Sequence, residues 1–207
     1  TLDTLSLHDA LPISVDSECL VEVQYQGVIR DGGLGIFRGS YTDDNGIEHW
    51  YATTQFEIDE ARHAMPCYDE PAIRAPIQLT IDHGRNYFAV SNTPVISGGS
   101  GVPGYDRTVF EPTPPIQTYL FAFLVSDFKN STYIGTRVVQ KVYAKPSSID
   151  NGEADFALSV AGKILDKHEE NLGIDYPLIK MDHIAIREFI FGGFYFFLRN
   201  YFLRLLN

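Results

Sequence analysis

The sequence of 207 residues has few cysteines, few basic residues and no long apolar run. Its two cysteines allow at most one bridge and exclude a disulfide scaffold. Basic residues number 16 against 27 acidic ones, for a net charge of −11. This balance argues against binding to nucleic acid, because a phosphate backbone would be repelled. The longest apolar run, residues 189–198, covers ten residues, whereas a membrane-spanning helix needs about 20. No membrane span is therefore predicted in this chain.

The two ends of the chain differ from its middle. Residues 1–14 contain no lysine or arginine, which argues against a secretory signal. We interpret them as a non-native or disordered segment. Eight of the 27 aromatic residues fall in residues 189–207, which we treat as a doubtful tail. The alternative for this tail is a buried strand and helix.

The middle of the chain shows the periodicity of strands. Alternating residues predict a strand over 20–29, and Asn45-Gly46 predicts a hairpin turn. The glycine-rich stretch 97–104 predicts a loop. The remaining predicted strands are 37–41, 49–56, 77–82, 87–91, 119–125, 136–144 and 180–186.

After Pro146 the periodicity becomes that of a helix, so we place a domain boundary near Lys145. Asp150 and Glu153 are predicted as an N-cap pair, and Gly173 as the C-cap. The predicted buried face contains Phe156, Val160 and Ile164, widened by Ala157, Ala161 and Leu165.

Few residues form a constellation that could carry chemistry. His168-Glu169 lacks the second histidine of a zinc-binding helix, because Leu172 stands in its place, and it is predicted to be solvated surface. His63 and Cys67 are separated by Pro66, so a small buried Cys67 is the preferred interpretation. Residues 130–132 form a sequon with Asn130 as a candidate glycosylation site.

One segment carries more information than composition does. Residues 52–71, ATTQFEIDEARHAMPCYDEP, resemble the signature of the M1 family of zinc aminopeptidases, in its aminopeptidase N branch. Further ordered blocks resemble the family, so the resemblance covers about residues 20 to 188. These blocks are 35–46, 86–94, 114–128, 142–146 and 176–186.

The resemblance implies a mainly β fold in two parts. A saddle-like antiparallel β N-terminal domain would be partly present in residues 15–145. The first helix and strand of a thermolysin-like α/β catalytic domain would follow in residues 146–188.

The resemblance also implies a mechanism for the intact parent. A zinc ion held by two histidines and a glutamate would activate the water that attacks the first peptide bond. A glycine-rich loop would bind the free α-amine of the peptide, and Gln55 would contact the ammonium or line the first side-chain pocket. The alternative is that Gln55 only bonds its strand neighbours. Asp69 and Glu70 are interpreted as turn and inter-domain contacts.

Correspondence with the family is lost at Arg187, before the amine-binding loop and the zinc motif. We therefore predict an inactive fragment of an aminopeptidase that removes N-terminal residues from peptides. Two alternatives remain open: a non-catalytic binding module of the same fold, and an unrelated β-sandwich adhesion domain. By resemblance the parent is expected at the cell surface or outside the cell, with a cytosolic location as the alternative.

Overall fold

The computed structural model describes residues 20–134, 137–187 and 201–203. Most of its regular structure is β. The strands are β1 (Gly35–Thr42), β2 (Glu48–Gln55), β3 (Thr80–Gly84), β4 (Phe88–Ser91), β5 (Val95–Ser100), β6 (Tyr105–Phe110), β7 (Phe123–Ser126), β8 (Lys129–Ile134), β9 (Val139–Ala144), β10 (Lys180–Ala185) and β11 (Tyr201–Leu203). The helices are α1 (Pro146–Asp150) and α2 (Asp155–Leu172), with short 3₁₀ helices at Ala61–His63 and Thr118–Leu120.

The first sheet has the order β1-β2-β7-β4 and is antiparallel. The predicted hairpin between β1 and β2 is confirmed. Asp43 Oδ1 accepts hydrogen bonds from the backbone N–H groups of Asn45, at 2.9 Å, and Ile47, at 2.8 Å. Because this carboxylate satisfies two amides of the turn, the Asp-Asp-Asn-Gly sequence fixes the hairpin register.

Strand β7 lies in the interior of this sheet, but the strand predicted over 119–125 is only partly formed, because Thr118–Leu120 form a 3₁₀ helix and β7 begins at Phe123. Leu124 is fully buried there. Two threonines of β2 fasten the strands together: Thr53 Oγ1 donates to Phe123 O at 2.9 Å, and Phe123 N donates to Thr54 Oγ1 at 3.1 Å. The C-terminal half of β2 is therefore held by side chains as well as by the backbone.

The second sheet has the order β11-β10-β9-β8. Strands β9 and β10 pair in parallel, and α1 with α2 form the crossover between them. Helix α2 ends where Gly173 adopts a left-handed φ of 63° and its N–H donates to Glu169 O at 2.8 Å. The predicted C-cap is thus confirmed, since a left-handed residue at this position favours glycine.

The predicted buried face of α2 is partly wrong. Leu158, Ala161 and Leu165 are buried, whereas Phe156 is 78% exposed and Ile164 is 39% exposed. Residues two positions apart on a helix are rotated by about 200°, so burial of Leu158 against β9 turns Phe156 to the opposite side.

The predicted N-cap pair is also wrong. Asp150 belongs to α1 and binds Lys129 Nζ at 2.6 Å, and α2 begins after Ala154 without a side-chain cap. The reason is a turn at Gly152, with φ of 75°, that separates the two helices.

A third sheet has the order β3-β6-β5, and it corrects the loop prediction for residues 97–104. Residues 97–100 belong to β5, an exposed edge strand that pairs with β6. The small side chains of residues 97–100 show no alternation of apolar and polar residues, so no strand pattern could be recognised. The strand forms because its backbone groups pair with those of β6.

The strand predicted over residues 20–29 is not formed. These residues are extended but unpaired within the described part of the chain, and Leu20 and Val28 are 95% and 86% exposed. Only Arg30 makes a bridge, to Phe37 of β1. Alternation predicts which face a strand would bury, but a strand also needs a neighbour for its backbone.

The first and second sheets pack face to face. Their shared core joins Phe37, Tyr51 and Leu124 to Tyr143 and Ile184. Lys180 and Asp182 form a buried ion pair within β10, and Lys180 Nζ also donates across the interface to Ser91 O of β4 at 2.6 Å. Burial lowers the pKa of Lys180, while Asp182 opposes this shift.

The mainly β fold is confirmed: all three sheets contain antiparallel pairs, and among the described strands β9, β10 and β11 pair in parallel. The thermolysin-like character of residues 146–188 and the domain boundaries stay predictions. No helix in the described ranges is long and apolar enough to cross a membrane.

Candidate functional site

Gln55, the residue predicted to face a substrate, is the last residue of β2 and is only 3% exposed. It pairs in register with Gly35 of β1. Alternation along β2 places it on the same face as Tyr51 and Thr53. Tyr51 packs against Ile184 and its neighbours, so this face is directed at the second sheet.

The amide of Gln55 is not satisfied by its surroundings. Its Nε2 atom is buried and has no hydrogen-bond partner among the described residues. Leaving a buried donor unpaired costs about 1–3 kcal/mol. The amide nitrogen can bind only an acceptor, such as a carbonyl or carboxylate oxygen, whereas Oε1 of the same amide can accept from an ammonium group.

The chain that follows Gln55 is anchored by a buried apolar cluster. Phe56 belongs to a buried cluster with Ala61, Leu120 and Phe121. This cluster packs the loop after β2 against the 3₁₀ helix Thr118–Leu120. Gln55 is therefore placed between two anchored segments.

Asp69 fixes the same loop from its other end. Its side chain is fully buried and accepts from Arg62 N at 2.9 Å and from Thr118 Oγ1 at 2.6 Å. Its φ of 53° is left-handed, a conformation that aspartate tolerates better than most residues. Asp69 thus makes the predicted turn contacts, while Glu70 is exposed and its inter-domain role stays a prediction.

The described chain returns to this face at the end of β10. Ile186 lies in the same buried cluster as Tyr51, and Arg187 N donates to Tyr51 Oη at 3.4 Å. Tyr51 and Gln55 lie on one face of β2, four residues apart. Ile186 and Arg187 therefore lie against the face of β2 that carries Gln55.

A hydrogen-bonded pair, Glu60 and His63, lies beside this site and was missed from the sequence. Glu60 Oε2 contacts His63 Nδ1 at 2.9 Å, and a methyl group added at Gly35 would lie 3.7 Å from the same Glu60 oxygen. The signal was present, because residues three apart on a helical turn face each other. The pair packs against the glycine that lies opposite Gln55.

The other candidates of the sequence do not form a site in the described part of the chain. Cys67 is half-buried rather than buried, and burial raises the pKa of its thiol. His168 is exposed, as predicted. Glu169 is not simply solvated, because it binds Arg137 and accepts from Tyr176 N at 2.6 Å.

Metal ligands are not gathered in the described residues, where no group of three His, Cys, Asp or Glu side chains could hold an ion. The residues present therefore do not fit a zinc ion. Asn130 lies exposed on β8, and Thr132 Oγ1 of its sequon donates to Asn130 Oδ1 at 3.1 Å. That geometry leaves the sequon at the surface.

Comparison with known proteins extends these observations. A family described as the peptidase M1 N-terminal domain matches residues 4–120. The chain is 37% identical to aminopeptidase N of Canis lupus familiaris over 195 residues, which are 91% of this chain and 20% of that protein. It is 34% identical to endoplasmic reticulum aminopeptidase 1 of Rattus norvegicus, over 92% of this chain and 20% of the relative. Identity to aminopeptidase N of Homo sapiens is 33%, over 86% of this chain and 19% of the relative. The chain thus spans about a fifth of the length of these relatives.

Proposed function

The chain belongs to the peptidase M1 family, and from this premise we propose that it contributes the N-terminal β part of a zinc-dependent aminopeptidase. The whole protein would remove N-terminal amino acids from peptides. This chain alone would be inactive, because its described residues gather no metal ligands. Family membership also rules out the unrelated adhesion domain.

The observation that carries this proposal is the unpaired amide of Gln55. More than nine-tenths of buried polar groups have a hydrogen-bond partner, so the state of Gln55 is uncommon for a strand residue. Its buried donor has no acceptor among the described residues, and this supports a role beyond the sheet. In the proposed complex, Gln55 Oε1 accepts from the α-ammonium of the peptide, and Nε2 donates to an oxygen outside the described residues.

The zinc ion of the proposed enzyme would be held outside the described residues. When bound, it would activate water for attack on the first peptide bond. The part of Gln55 is to bind and orient the amino end of the peptide. Its burial strengthens that contact, because a hydrogen bond to a charged group is stronger where water is excluded.

A chimera can test this role. Residues 20–187 of this chain would replace the matched segment of the dog aminopeptidase N, and hydrolysis of an aminoacyl-naphthylamide would be measured. Gln55→Ala should lower kcat/KM roughly tenfold to a hundredfold, the effect of losing a hydrogen bond worth about 1.5–3 kcal/mol to a charged group. The matched control is Gln78→Ala, since Gln78 is an exposed glutamine that contacts only Phe110 O, at 3.5 Å.

The outcomes separate the two functions that remain. An active chimera that loses activity with Gln55→Ala but not with Gln78→Ala supports the proposal. Equal activity of both variants would show that Gln55 has no substrate role. The alternative, a non-catalytic binding module, would be favoured if the unaltered chimera folds and binds zinc but releases no product.

Two further properties are proposed from the resemblance alone. The whole protein would lie at the cell surface or outside the cell, and Asn130 would carry a glycan there. The exposed position of Asn130 on β8 is compatible with this modification. Expression in a secretory host with and without Asn130→Gln would reveal a glycan as a mass difference.

A further inference from the structure

A second polar cluster lies at the opposite end of β2, around His49. Its imidazole is 31% exposed and stands between two carboxylates. His49 Nδ1 lies 2.6 Å from Asp127 Oδ2, and Nε2 lies 3.4 Å from Asp43 Oδ2. Asp43 belongs to the hairpin turn, whereas Asp127 lies between β7 and β8. One side chain thus bridges two segments that are 84 residues apart in sequence.

Asp127 lies where the chain passes from the first sheet to the second, so its contact with His49 joins the hairpin to this crossing point. The chain passes from the first sheet to the second sheet between β7 and β8, so Asp127 and Phe128 form the corner between the sheets. Tyr41 supports the corner from β1: its hydroxyl donates to Asp127 Oδ1 at 2.9 Å, and its ring packs 5.7 Å from Phe128. Both oxygens of the Asp127 carboxylate are therefore engaged by the hairpin.

The imidazole itself is held flat against Tyr41. The two rings stack with centroids 4.9 Å apart and an interplanar angle of 11°. Stacking fixes the plane of the imidazole, and the plane directs one nitrogen at each carboxylate. The geometry requires His49 to donate at both nitrogens, which only the imidazolium ion can do.

We propose that His49, Asp43 and Asp127 form a pH-sensitive latch that fastens the tip of the β1–β2 hairpin to the corner between the two sheets. The latch is closed when His49 is an imidazolium ion and is weakened when the ring becomes neutral. This proposal is independent of the role of Gln55, which lies at the far end of the same strand.

The titratable groups around His49 all favour the closed form. Asp127 and Asp43 raise the pKa of His49 above its ordinary value of about 6.5, chiefly through the hydrogen bond to Asp127. Tyr41 stays a neutral donor, because burial and Asp127 raise its pKa. Tyr87 also contributes to the raised pKa of Tyr41. The pKa of Asp43 is lowered, mainly by the backbone N–H of Ile47, so this carboxylate remains charged.

Two exchange measurements on the intact chain test the latch. Exchange of the imidazole Cε1 hydrogen, followed by mass spectrometry over pH 5 to 9, gives the titration midpoint of each histidine. Exchange of the backbone amides of residues 43–48, corrected for intrinsic rates, reports opening of the hairpin tip. The ordinary histidine pKa of about 6.5 is the reference for the midpoint of His49.

The expected results are specific. The His49 midpoint should lie above the ordinary histidine value of about 6.5. Asp127→Asn should lower this midpoint more than Asp43→Asn, since the Asp127 contact is shorter. The amides of the tip should exchange about twofold to fivefold faster above the midpoint, the range that an exposed ion pair produces. His49→Gln should remove this pH dependence, whereas the matched control His168→Gln should keep it.

Two results would overturn the proposal. One is a His49 midpoint at or below the ordinary value of about 6.5 in the unaltered chain, a measurement that requires no variant to fold. The other is the same pH-dependent exchange of the tip in His49→Gln as in the unaltered chain.

Discussion

Each end of β2 carries a polar side chain on the same face of the strand, but the two side chains differ in whether their hydrogen bonds are satisfied. At the start of the strand, His49 is half-buried and bonded to a carboxylate at each nitrogen. At the end of the strand, Gln55 is buried and its amide nitrogen has no partner among the described residues. The polar group at the first end has its partners within the described chain, and the amide nitrogen at the second end does not.

This difference shows what the folded chain satisfies by itself and what it leaves unsatisfied. Folding alone selects for satisfied donors, because an unpaired buried donor costs about 1–3 kcal/mol. The stability of the fold is therefore sufficient to account for the satisfied cluster at His49. The unsatisfied amide nitrogen of Gln55 lowers stability, and it is compatible with the substrate role that we propose for this residue.

The largest expected effect is a loss of stability in the core of the protein, which should affect both ends of β2. Phe37 is fully buried and lies directly opposite Thr53, which lies between His49 and Gln55 on β2. Phe37→Ala should lower the free energy of unfolding by about 3–5 kcal/mol, because it leaves a large cavity in the shared core. Urea unfolding followed by fluorescence measures this loss.

The control for Phe37 is another phenylalanine of the same chain. Phe156→Ala should change stability by no more than about 0.5 kcal/mol, since Phe156 is 78% exposed on α2. Equal losses for the two variants would contradict the buried face that the structure assigns to α2, and would restore the face predicted from the sequence.

A second, smaller effect should have the opposite sign. Gln55→Met keeps the length of the side chain and removes the unpaired donor, so it should raise the free energy of unfolding by about 1 kcal/mol. The matched variant is Gln140→Met, at a glutamine that is equally buried but accepts from His183 Nε2 at 3.0 Å. That variant should be destabilised by about 1–3 kcal/mol, because the histidine loses its acceptor. Destabilisation by both substitutions would show that Gln55 is satisfied in solution.

Much of this strand could be predicted from the sequence, because its signals are local. The Asn45-Gly46 turn fixed the hairpin, and alternation placed Gln55 near the end of the return strand. The same reasoning was wrong for residues 20–29 and for β5, since pairing with a distant strand decides whether an extended segment belongs to a sheet. The helix face was wrong because packing against β9 selected one of two adjacent apolar stripes.

The state of each polar group could not be predicted in this way. The sequence gives no sign that His49 meets Asp127, a residue 78 positions away. Nor does it show that Gln55 Nε2 is left unpaired, because its burial depends on β1 and on the second sheet. The identity of a candidate residue was thus readable from the resemblance, while its electrostatic state required the three-dimensional arrangement.

The smallest expected effect concerns the pH dependence of stability, and it separates the two ends most sharply. The pKa of His49 is raised in the folded chain, so its protonated form stabilises folding. This contribution is fully present below the ordinary histidine pKa of about 6.5 and is lost as pH rises through the raised value. The urea midpoint of the unaltered chain should therefore fall from neutral to mildly alkaline pH, and His49→Gln should reduce that fall.

Salt provides the control for this last prediction. Because the His49 cluster is partly exposed, 1 M salt, with a Debye length of about 3 Å, should diminish the difference between the unaltered chain and His49→Gln. The gain from Gln55→Met arises from a buried neutral group and should be the same at every pH and salt concentration tested. A salt-sensitive effect at Gln55, or a salt-insensitive one at His49, would contradict the assignment of a charged, self-sufficient end and a neutral, incomplete end to the same strand.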